Sequence, residues 1–77
     1  MTNNITVEDA LIALASAKNG VPEYINWSKE GGAEVHRVNY NWYVLFRITQ
    51  YGGSPHYEGT FYENDIDRLI ELAFSWT

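Results

Sequence analysis

Aromatic and β-branched residues crowd residues 42–62 and leave that stretch few ways to fold. Trp42-Tyr43-Val44-Leu45-Phe46-Arg47-Ile48-Thr49-Gln50-Tyr51 and His56-Tyr57-Glu58-Gly59-Thr60-Phe61-Tyr62 flank Gly52-Gly53-Ser54-Pro55. That pattern is two antiparallel strands around a tight connection. Strand side chains alternate between faces, so Trp42, Val44, Phe46 and Ile48 share one face, and it is wholly apolar. Tyr43, Leu45, Arg47, Thr49 and Tyr51 share the other, which is mixed. The even set is therefore expected against the core. Placing Tyr51 opposite His56 brings Phe46 against Phe61 and Ile48 against Gly59, with both apolar sets on one side. The outer face then pairs Arg47 with Thr60, Thr49 with Glu58 and Leu45 with Tyr62. A slip of one residue would split the apolar sets.

Residues 33–39 extend the sheet, with Tyr40-Asn41 as the turn and Asn39 opposite Trp42. This register puts Val35 and Ala33 on the core side. It puts Glu34 opposite Arg47 and His36 opposite Leu45 on the outer side. Arg37 falls on the core side beside Val44, a defect relieved by snorkelling or by a bulge. Residues 21–32 read two ways. Pro22 can open a short helix that ends at Gly31. Otherwise Tyr24, Ile25 and Trp27 form a strand that turns at Gly31-Gly32. The extended form is preferred.

A helix is expected over residues 7–18. Thr6 is its N-cap, Glu8 and Asp9 fill its first turn, and Asn19-Gly20 stops it. Val7, Ala10, Leu11, Leu14 and Ala17 recur at helical spacing, and Ile12 and Ala13 widen the buried stripe. A last helix starts at Asn64 as N-cap and buries Ile66, Leu69, Ile70 and Ala73. The expected fold is one α+β domain over residues 1–77. It has an N-terminal helix, a three- or four-stranded antiparallel meander and a C-terminal helix, with both helices on one face.

Several function classes are disfavoured. The chain has no Cys, which excludes disulfides and thiolate metal sites. Ten acidic residues against five basic ones give a net charge of −5, which argues against direct nucleic-acid binding. No run approaches the ~20 apolar residues of a membrane span. Met1-Thr2-Asn3-Asn4 lacks the basic and apolar regions of a signal peptide, so the expected location is the cytoplasm of a bacterial host. Ser16, Ser28, Ser54 and Ser75 sit in no nucleophile motif. His56 and Glu58 could share a metal, but two ligands make a poor site. Neither Gly31-Gly32 nor Gly52-Gly53 leads into a phosphate-binding helix. No enzyme activity, cofactor or metal is expected.

What remains is a surface. On the outer face Tyr43, Arg47, Tyr51, His56, Glu58 and Tyr62 are types suited to partner binding, with Tyr and Arg typical of interface hot spots. Glu63, Asp65 and Asp67 add an acidic edge able to steer a basic partner. In composition, residues 42–62 with the acidic segment 63–71 resemble the small phage- or mobile-element-encoded inhibitors of bacterial defence, the anti-CRISPR proteins among them. That resemblance implies a non-enzymatic protein that inhibits a larger protein or nucleoprotein complex by occupying a basic surface. The chain departs from the DNA-mimicking subgroup, because its acids are diluted by five bases. The same composition resembles toxin-immunity proteins. A structural homodimer using the same face is the other reading.

Overall fold

Thr6 opens the first helix in the computed structural model, which describes residues 6–39, 41–50 and 52–76. Its side chain accepts from the Asp9 N–H at 3.1 Å and caps α1 (Val7–Ala15). The helix stops three residues short of the expected end. Ser16 Oγ bonds back to the Ile12 and Ala13 carbonyls. Beyond it the chain is taken up by the sheet, where Gly20 N–H donates to Arg37 O at 2.9 Å. Ala10 and Leu14 are fully buried, whereas Ile12 is 66% exposed and does not widen the stripe.

Four strands follow in an antiparallel meander of order β1-β2-β3-β4. They are β1 (Pro22–Ser28), β2 (Gly31–Asn39), β3 (Trp42–Ile48) and β4 (His56–Tyr62). Residues 21–32 thus take the extended form. A short 3-10 turn (Glu63–Asp65) leads into α2 (Ile66–Phe74). Asn64 lies within that turn and is not the helix cap; Asp65 occupies the cap position without a side-chain bond. Both helices lie on one face of the sheet. They bury Ala10, Leu14, Leu69, Ile70 and Ala73 against Ile25, Ala33, Val35, Tyr43 and Leu45.

That core reverses the expected orientation of β3. Tyr43 and Leu45 point to the helices, and Trp42, Val44 and Phe46 are only half-buried on the opposite face. In the β2–β3 ladder the cause is a bulge; in the β3–β4 ladder it is a longer connection, residues 49–55, which starts the pairing at Arg47 and His56. Asn39 does face Trp42, but Val38 is then skipped, so Arg37 faces Tyr43 and Val35 faces Leu45. In the next ladder Tyr43 faces Phe61 and Leu45 faces Gly59, then Glu58 is skipped and Arg47 faces His56. The pairings of Phe46 with Phe61 and of Arg47 with Thr60 are not formed. Tyr40, assigned to a turn, and Tyr51, assigned to the strand opposite His56, lie outside the described residues, as do Met1-Thr2-Asn3-Asn4.

The β1–β2 turn also differs from expectation. Ser28 pairs with Gly31, so Lys29 and Glu30 make the turn and the two glycines enter β2. A third bulge lies between Ile25 and Ser28, where Asn26 adopts a left-handed φ of 54°. Asn tolerates that region and β-branched residues do not. Asn26→Val is expected to lower stability by about 1–2 kcal/mol, with Asn26→Gly close to wild type. Urea melts of the two variants check this.

Candidate functional site

The helix-free side of the sheet carries a transverse row of paired residues. Tyr24 faces Glu34 across β1 and β2, Glu34 faces Phe46 across β2 and β3, and Phe46 faces Tyr57 across β3 and β4. Three aromatic rings and one carboxylate therefore cross all four strands. Two of the three bulges contribute to this row. The extra residue at Asn26 turns Trp27 to the side of Tyr24, where the rings meet edge to face at 4.7 Å. The extra residue at Glu58 brings Tyr57 opposite Phe46, with ring centroids 6.1 Å apart.

Two further features extend the row. His36 lies edge-on to Phe46 at 5.4 Å, and its Nε2–H donates to Glu34 Oε2 at 2.5 Å. Both members are largely screened, with side-chain exposures of 28% for His36 and 15% for Glu34. Beyond Val44 and Thr60, Trp42 stacks on Tyr62 with centroids 3.7 Å apart. Tyr57 and Tyr62 are the most open of these rings, at 64% and 44%. Tyr57 is held by a 2.8 Å hydrogen bond between its hydroxyl and that of Thr60.

None of the five cations joins this face. Arg37 reaches across the helix side, where its Nη1 donates to Ala17 O at 3.1 Å and its guanidinium lies 5.5 Å from the Tyr43 ring centre. Arg47 lies 5.2 Å over the Trp76 ring, also on the helix side. Lys18 precedes β1, Lys29 sits in the β1–β2 turn and Arg68 is on α2. The open face thus carries aromatic and apolar residues, with the Glu34 carboxylate near its middle.

Against this geometry the expected partner-binding residues divide. Tyr62 is on the open face. Tyr43 is not: it is 1% exposed, and its hydroxyl donates to Leu14 O at 3.3 Å. Arg47 faces the helices, and His56 pairs opposite it at the start of β4. Glu58 is the exposed bulge residue, and Tyr51 lies outside the described residues. Glu63, Asp65 and Asp67 are exposed together where β4 passes into α2. Sequence reasoning missed Tyr24, Trp27, Glu34, Phe46 and Tyr57 as a set. The signal that could have found them is Arg37, whose place on the core side allowed either snorkelling or a bulge beside it.

Among the described residues no group of three or more His, Asp or Glu side chains could hold a metal ion. His36 and Glu34 form a hydrogen-bonded pair. No protein-family model, curated protein or solved structure matches the chain.

Proposed function

We propose that this chain is a non-enzymatic binding domain that occupies a basic surface of a larger protein complex. The observation that carries the reading is the open sheet face: a row of rings with one carboxylate and no cation. Exposed aromatic faces of this kind suit protein association, since rings bury much area at little entropic cost. A polyanion is disfavoured there, because phosphate contacts need Lys or Arg. The acidic residues Glu63, Asp65 and Asp67 lie at the β4–α2 junction and would speed encounter with a basic partner. Inhibition of a bacterial defence complex in the host cytoplasm is the biological form that the resemblance to anti-CRISPR proteins implies.

The test uses Tyr57→Ala/Tyr62→Ala, two exposed positions whose loss leaves the core intact. Tagged wild-type protein and the variant are compared in capture from bacterial lysate at low and high salt, with circular dichroism as the control for folding. The variant is expected to lose its partner by about 2 kcal/mol or more. High salt is expected to weaken the wild-type complex. Equal recovery by a folded variant would overturn the reading. Light scattering at two concentrations separates a hetero-complex from self-association: a mass that doubles with concentration would make a second copy the occupant.

A further inference from the structure

At one end of the open face lies a hollow of about 400 Å³, lined by Tyr24, Trp27, Glu34, Ile48, Gly53 and Pro55. We propose that this hollow receives one cationic side chain, an arginine guanidinium or a lysine ammonium, presented by the partner protein. The proposal rests on the reading of the open face as a protein-binding surface, and it names what that surface recognises.

Three observations point the same way. The walls are aromatic: Tyr24 and Trp27 meet edge to face at 4.7 Å, so ring surface from both borders the hollow. A cation against such rings is attracted by the negative ring face. The only charged residue among the described lining residues is Glu34. Its carboxylate is held in place through Oε2 by His36, which leaves Oε1 to accept from an incoming N–H. Apolar contact is also available, since Pro55 and the edge of Ile48 line the hollow. Arginine and lysine both carry an alkyl stem that buries against such residues while the head group meets a charge. An acidic side chain would be repelled by the Glu34 carboxylate.

The hollow depends on the β1 bulge. Without the left-handed turn at Asn26, strict alternation would send Trp27 to the helix side and remove one wall.

Nα-acetylarginine amide, Nα-acetyllysine amide and the neutral citrulline counterpart serve as probes, titrated into isotope-labelled protein while the Trp27 indole N–H resonance is followed. The two cations are expected to shift it saturably, and citrulline to require about tenfold more ligand. Glu34→Gln keeps an acceptor for His36 but removes the charge, and it is expected to weaken both cations by about tenfold. The stronger of the two cations identifies the head group. Citrulline binding as well as arginine, Glu34→Gln binding the cations as well as wild type, or no shift with any probe would each overturn the proposal. Partner capture keeps the two failures apart. If Glu34→Gln captures the partner as well as wild type while Tyr57→Ala/Tyr62→Ala does not, the face binds protein but the hollow takes no cation.

Discussion

Gly31→Ala is expected to remove most of the stability of this domain. Gly31 is buried at the start of β2 with φ of 110°, a conformation that side chains rarely adopt. A Cβ there would lie 1.9 Å from the Ile48 carbonyl oxygen and 2.7 Å from its carbon. Both atoms are backbone, so no rotamer change relieves the clash. The first turn of the sheet must move away from the end of β3, and the cost is about 3 kcal/mol or more. A domain of this length holds on the order of 5 kcal/mol in all. Gly52→Ala supplies the control. Gly52 also has positive φ, at 80°, but nothing lies within 4 Å of its missing Cβ, so only the backbone strain of about 1 kcal/mol is expected. Urea denaturation of both variants decides the matter. Equal midpoints would show that the close approach of β2 to Ile48 is wrong.

Tyr43→Ala is expected to be as damaging for a different reason. The Tyr43 ring is the largest fully buried side chain of the core, set between the sheet and α1. Its hydroxyl ties β3 to the Leu14 carbonyl, and the Arg37 guanidinium lies beside the ring. Truncation leaves a cavity costing about 3–5 kcal/mol. Tyr43→Phe keeps the ring and loses only the hydrogen bond, about 1 kcal/mol. Binding measurements on the same variants separate fold from interface. Tyr43→Phe should hold its partner as wild type does, and Tyr43→Ala should lose binding only in step with unfolding. A folded Tyr43→Phe with impaired binding would place the hydroxyl at the interface after all.

Tyr43 also shows where sequence reasoning stopped. The faces of β2 were legible, because Ala33 and Val35 alternate with Glu34 and His36. Those of β3 were not, because Trp42, Val44 and Phe46 compete with Tyr43 and Leu45 on nearly equal terms. Hydrophobic alternation cannot orient a strand that is apolar on both sides. Tyr43 and Arg47 read as outward residues by their polar atoms. Each instead buries its body and finds a contact on the helix side, Tyr43 at a carbonyl and Arg47 over an indole ring. The registers depended on the same decision. Skipping one residue at Val38 is enough to exchange the faces of β3, and Arg37 hints at the skip without fixing it. Helix existence, strand count and the placement of both helices on one face came from long-range patterning, which a single bulge does not disturb. The aromatic row on the open face owes Trp27 and Tyr57 to two bulges, so it was the part least visible.

The two outer strands each carry one of those irregularities, at Asn26 in β1 and at Glu58 in β4. An open sheet ordinarily offers its unpaired edges to any extended chain, which invites stacking into filaments. Here a visiting strand would meet a ladder that breaks partway along either side, with Pro22 at the head of one and Pro55 just before the other. The borders of this small sheet are thus protected against growing edge to edge.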